Sequence, residues 1–261
     1  MNMSFYSAAV GAIQQQQRMN VQSNNIANVN THGFRAERAS FGALMNRDVI
    51  GIDNAELPKG TGTRMTKATV DFNPSGFIET GRTFDFAING DGFFALYDPP
   101  SEEISYTRDG AFTAAQYWVD PTEEEIAAAE ANGEEAQPKP EWRLSDNEGR
   151  CVLDPQGNFI VLDMDEVKEN RAGLELRLGV FDYAIREGLE HADSCRFVAT
   201  DKNGQLYLGT GVVKRGLLEL SNTDLAQEFI KVIESQRAFS YCLKMVTTSD
   251  EIESTFNNLR S

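Results

Sequence analysis

The residues of this chain that could do chemistry are few, and each group lacks a part that its chemistry needs. The stretch GTGTRMTK at 60–67 has the glycines and the cation of a phosphate loop. It has no Gly-Lys-Ser/Thr ending to cradle a phosphate and hold Mg²⁺, so it reads as a turn before a strand. Asp163, Asp165 and Glu166 bunch carboxylates, but a calcium loop needs glycine at its sixth position and glutamate at its twelfth, and neither is present. His32 and His191 are the only histidines, each away from any Cys/His pattern, so neither a metal site nor a Ser-His-Asp arrangement is encoded locally. Cys151, Cys195 and Cys242 are too few and too widely spaced for a disulfide framework or a metal knuckle, and Cys242 reads as a small apolar filler. Asp91, Arg108 and Asp109 lie in turn contexts and read as structural. The expectation is no catalytic group, no cofactor and no metal.

Composition narrows the class further. A chain of 261 residues can bury a substantial core. A formal charge of −16, with scattered Lys and Arg, argues against a nucleic-acid binder and helps solubility. No run of eighteen apolar residues exists, so no membrane span is expected. The N-terminus has no basic region before its apolar residues, and residues 14–18 interrupt any apolar core, so no cleaved Sec signal peptide is expected.

If chemistry is not the business of this chain, its elements must be. Phe5, Ala9, Ala12, Gln16, Met19, Ser23 and Ile26 step by four and three along one side of a helix. Leu225, Phe229, Val232, Gln236, Phe239, Leu243 and Val246 repeat the spacing, and Met245, Ser249, Ile252, Phe256 and Leu259 continue it after a one-residue drift. A helix with one apolar stripe needs a partner, and each end is the nearest candidate for the other. Polar Gln16, Ser23 and Gln236 in the seam would specify register and leave the pair marginal alone. Asn24, Asn25, Asn28 and Asn30 end the first helix near Asn28, Gly33 supplies the stop, and Phe34 follows. Phe34, Ala39, Phe41, Leu44 and Met45 are then read as a short second helix in preference to a packing arm. The middle alternates strand residues with turns such as NGDG at 89–92 and predicts many short antiparallel strands. Residues 121–140, with six glutamates and five alanines, read as an exposed insertion, helical over 122–131. The fold class expected is α+β, with coiled-coil-like pairing of the N- and C-terminal helices and a central, mainly antiparallel β domain. The segments are 1–30 as N-terminal axial helix and Asn-rich turn, 31–60 as connecting arm, 61–216 as β domain and 217–261 as C-terminal axial helix.

Several of these stretches resemble one family. SNNIANVNTHGFRAERASF after an N-terminal amphipathic helix, INGDGFFAL followed by YTRDGAF, and LELSNTDLAQEFIKVIESQRAFSYCLKMVTTSDEI together resemble the bacterial flagellar basal-body rod proteins, in the right order. The form of LELSNTDLAQEF and the length look most like the distal member of the rod, then the proximal member, with a hook-like axial protein as an alternative. His32 stands where the family more often has proline, which would fix the turn in advance. The resemblance implies a structural subunit of the basal body that self-assembles into a helical tube and transmits torque from motor to hook. It implies partners among copies of itself, other rod and hook proteins and the flagellar type III export apparatus. The assembly seam is then expected at Phe5, Ala9, Ala12, Met19, Ile26, Leu225, Phe229, Val232, Phe239, Leu243 and Val246, and the turn motif at Asn24, Asn25, Asn28, Asn30, Gly33 and Phe34. A β-domain ligand-binding protein or enzyme is the alternative of a different class.

Overall fold

The computed structural model describes residues 3–44, 47–50, 56–59, 62–119, 139–163, 173–192 and 195–260. The expected helix at 122–131 and Met45 lie outside them. The chain divides into two compact units, one of residues 1–30, 35–72 and 222–261, the other of residues 31–34 and 73–221. The fold is α+β, and every strand pairing among the described residues is antiparallel.

The first unit holds helices α1 (Met3–Ala27) and α2 (Leu225–Arg260) with strands β1 (Glu37–Ala43), β2 (Arg47–Ile50), β3 (Glu56–Lys59) and β4 (Thr63–Val70). Straight-chain and alanine residues favour α1, which takes in Asn24 and Asn25 and ends at Ala27, before Asn28 and Asn30. Asn28 Nδ2 donates to the Asn24 carbonyl at 3.0 Å, closing the last turn. At the other end Asp224 caps α2, its Oδ1 accepting from the Ala226 and Gln227 amides at 3.0 and 3.2 Å. The segment expected as a second helix is instead a β-hairpin. Glu37 pairs with Val70, Ala43 with Thr63, Arg47 with Lys59 and Ile50 with Glu56, with one register shift between Ser40 and Phe41. Successive residues of ERASFGA alternate between half-buried and exposed along most of the strand, with Ala39 and Phe41 on the half-buried side, which suits a pleat better than a helical stripe.

The second unit is built from β5 (Phe77–Glu79), β6 (Phe86–Asn89), β7 (Phe93–Asp98), β8 (Glu103–Thr107), β9 (Thr113–Val119), β10 (Lys139–Ser145), β11 (Cys151–Val152), β12 (Val180–Tyr183), β13 (Glu190–His191), β14 (Arg196–Val198), β15 (Leu206–Leu208), β16 (Val212–Arg215) and β17 (Leu217–Glu219). A nine-stranded sheet runs β13-β14-β8-β7-β11-β10-β9, with β12 on β7 and β15 on β12. Two small sheets join β16 to β6 and β17 to β5. The turn at 89–92 therefore links two strands that each pair elsewhere. Phe86, Ile88, Phe94, Leu96, Phe112, Leu144, Val152 and Ile160 make the core, and β6 and β7 bury successive residues on both faces, which is why they read as apolar runs.

Candidate functional site

In the β unit the segment 31–34 seats a glycine and a phenylalanine among residues distant in sequence. Gly33 has φ +67°, and its amide donates to the Glu219 carbonyl at 2.8 Å. A Cβ built on it would stand 2.4 Å from the Asp109 nitrogen and 2.5 Å from the Arg108 carbonyl carbon. Glycine is required twice over, by conformation and by the closeness of backbone. At Gly110 close backbone alone demands glycine, since a Cβ there would meet the Phe86 carbonyl oxygen at 1.7 Å.

Behind the turn lies a buried ion pair. Arg108 Nη1 donates to Glu219 Oε2 at 3.1 Å and to the Ile88 carbonyl at 3.2 Å, and Nη2 donates to the Gly90 carbonyl at 2.7 Å. Glu219 Oε1 accepts from the Ser75 amide at 3.3 Å. The guanidinium lies 5.5 Å from the Phe93 ring centre. From there Phe93, Phe197, His191 and Phe34 are spaced 5.8, 4.9 and 6.1 Å apart, so Phe34 ends a column of rings. Beside Arg108, burial pushes the Asp109 carboxyl up despite the hydrogen bond it accepts from the Ala111 amide. Burial, helped by the Asp109 charge, pushes the Cys195 thiol up to about 12, so this cysteine is no nucleophile. A cavity of ~180 Å³ beside Asp109 is lined also by Asp146, Glu148, Arg150 and Arg196, but Arg150 is bonded to Asp146 and Glu148. Among the described residues no three His, Cys, Asp or Glu side chains gather as a metal site would require.

In the helix–hairpin unit two asparagines hold the root of the hairpin. Asn25 Nδ2 donates to the Glu37 carbonyl at 2.8 Å while its Oδ1 accepts from the Glu37 amide at 2.9 Å. Asn222 Oδ1 accepts from the Ala36 amide and Nδ2 donates to the Asp71 carbonyl, both at 2.7 Å. Each side-chain amide stands in for a strand neighbour. Asn25 was visible as part of an Asn-rich turn. Asn222 and Glu219 were not singled out, though an asparagine just before a helix cap and a carboxylate closing an apolar strand are unusual enough to mark.

The helices themselves meet where α1 carries a glycine. A Cβ on Gly11 would lie 3.3 Å from Cys242 Sγ, and α1 is the chief neighbour of α2. On α1 the buried positions are Ala12, Gln22 and Asn25; on α2 they are Glu228, Ser235 and Ser249. Glu228 Oε1 accepts from Lys231 Nζ at 2.6 Å and Ser235 Oγ donates to the Lys231 carbonyl at 2.8 Å. Of the expected seam positions, Ala9, Met19, Ile26, Val232, Phe239 and Val246 are half-buried. Phe5, Leu225, Phe229 and Leu243 are exposed, as are Ile230, Ile233, Tyr241, Met245, Ile252 and Phe256. In the turn motif Asn25, Gly33 and Phe34 are buried, Asn28 half-buried, and Asn24 and Asn30 exposed.

Comparison with known proteins gives three family matches along the chain. Residues 5–35 match the flagella basal body rod protein family, 87–121 the flagellar hook protein FlgE/F/G D1 domain, and 214–259 the flagellar basal body rod FlgEFG protein C-terminal family. The chain is similar to the flagellar basal-body rod protein FlgG of Bacillus subtilis (strain 168), 30% identical over 98% of each chain. It is 29% identical to FlgG of Buchnera aphidicola subsp. Acyrthosiphon pisum, over 95% of this chain and 96% of that one. It is 28% identical to the flagellar basal-body rod protein FlgF of Caulobacter vibrioides, over 90% and 88%.

Proposed function

Because the chain belongs to the flagellar basal-body rod protein family, we propose that it self-assembles into a helical tube through the outward faces of α1 and α2. It is a structural subunit of the rod, of the distal kind, sited in the flagellar basal body, and not an enzyme. The finer reading adds that α1 and α2 act as a coiled-coil-like pair, that copies of the chain cover its exposed apolar residues, and that the tube carries torque from motor to hook. Neighbours would be other rod and hook proteins, reached after passage through the flagellar type III export apparatus.

The observation that carries this reading is the set of large apolar side chains left exposed on the helices. Two helices that were to stand alone would turn Phe229, Ile233 and Leu243 toward each other and leave serine and glutamate in water. Here Glu228, Ser235 and Ser249 are buried while Phe229 is 50% exposed and Phe256 67%. Burying such side chains contributes roughly 1.5–3 kcal/mol each. Supplying that burial from neighbours makes assembly, rather than intramolecular pairing, the main source of helix stability. A head-to-tail contact that fails to close gives an open helix of subunits.

The reading is tested by deleting the gene in its own organism and viewing isolated basal bodies by electron microscopy. The expected result is a truncated rod without a hook, restored by the wild-type gene. Complete rods carrying hooks in the deletion strain would refute it.

A further inference from the structure

The charge of the chain is not shared between its units. The helix–hairpin unit has 11 acidic and 11 basic residues, and the β unit has 29 acidic and 13 basic. The whole formal charge of −16 therefore belongs to the β unit. Within it Arg108, Arg143, Arg150 and Arg186 are engaged in internal ion pairs. Glu79, Glu102, Glu103, Glu190 and Asp201 remain exposed. The neutral unit is the one that exposes the apolar helix faces.

We propose that this partition steers assembly: copies join through the helix–hairpin unit, whose charges balance, while like charge keeps β units from adhering to one another. The proposal rests on the reading of the chain as a self-assembling subunit. Charge of one sign on one unit makes every β-to-β encounter repulsive over a Debye length. That range falls from about 30 Å near 0.01 M salt to about 3 Å near 1 M, so the repulsion is strong in dilute salt and nearly absent in concentrated salt. Helix contacts, being apolar, have no such dependence of their own on screening. The interaction surface is thus defined from both sides, by what attracts a second copy and by what rejects it elsewhere.

The test is sedimentation of the purified full-length chain at fixed concentration across NaCl from about 0.01 M to about 0.5 M, a range that collapses the screening length. Three proteins are compared: wild type, the quadruple variant Glu79→Gln, Glu102→Gln, Glu103→Gln and Glu190→Gln, and a charge-conserving control with Glu79→Asp, Glu102→Asp, Glu103→Asp and Glu190→Asp. Thermal unfolding of the β unit confirms that the variants fold. The assembled fraction of wild type and control is expected to rise several-fold with salt. The quadruple variant is expected to assemble at low salt to a degree the wild type reaches only at higher salt, and electron microscopy is expected to find more irregular aggregate in it. Wild-type assembly that is indifferent to salt, or a quadruple variant indistinguishable from wild type, would overturn the steering proposal and leave self-assembly standing. A wild type that never assembles in any salt would overturn self-assembly, and the proposal with it.

Discussion

At the scale of single residues the surest positions are those where backbone leaves no room. Conformation alone would make Gly33→Asn milder than Gly33→Val, since asparagine tolerates positive φ. The Arg108–Asp109 backbone 2.4–2.5 Å from any Cβ removes that advantage. Both substitutions, and Gly33→Ala, are expected to lower the unfolding free energy of the β unit by about 2–4 kcal/mol, from left-handed strain together with overpacking. Denaturant titration checks this, and an Asn or Ala variant within error of wild type would refute it. The buried pair behind the turn gives a second expectation. Glu219→Gln leaves Arg108 charged and buried without its counter-ion, which costs about 3–5 kcal/mol, whereas exposed Glu79→Gln should change stability by less than about 0.5 kcal/mol. Asp109 works in the opposite sense. Its folded pKa is raised, so the folded state binds more protons than the unfolded one across that interval. The resulting stabilisation is present below the unfolded pKa and lost as pH rises through the folded one. Asp109→Asn keeps an oxygen for the Ala111 amide and loses the charge, so it should flatten the acid-side slope of stability against pH. An unchanged slope would show that Asp109 pays no burial cost.

At the scale of elements, the helices and the strand-and-turn character of the middle were legible because period and punctuation are local. The hairpin of β1 to β4 was not. Its apolar residues are few, and it is held by the Asn25 and Asn222 side chains and by pairing between strands about thirty residues apart, none of which leaves a local pattern. The direction in which each helix faces was also hidden, since a stripe of large apolar residues has the same spacing whether it meets its own chain or another. In the site, Gly33 could be found from its place after an asparagine run, while the partnership of Glu219 with Arg108, 111 residues away, could not. The helix faces make a distinguishing prediction. Phe229→Asp places a carboxylate on an exposed position and should leave circular dichroism of the monomer unchanged while abolishing assembly. Gly11→Leu drives a side chain against Cys242 and should disturb the helix contact itself. A Phe229→Asp protein that forms rods as readily as wild type would mean that this face meets no neighbour.

At the scale of the whole molecule, the two units divide the work. The β unit buries its own core and carries the charge; the helix–hairpin unit leaves large apolar side chains of its helices exposed. Such a unit should be stable in proportion to its neighbours. Limited proteolysis of dilute protein is accordingly expected to trim both helices and to leave the β unit resistant. Hydrogen exchange tests the central claim most directly, by comparing the amides of α1 and α2 in dilute monomer and in assembled rods. The account predicts that their exchange slows by more than about tenfold on assembly while the core strands of the β unit change little. Equal protection of both helices in the two states would contradict it, because the helices would then owe nothing to the copies that surround them.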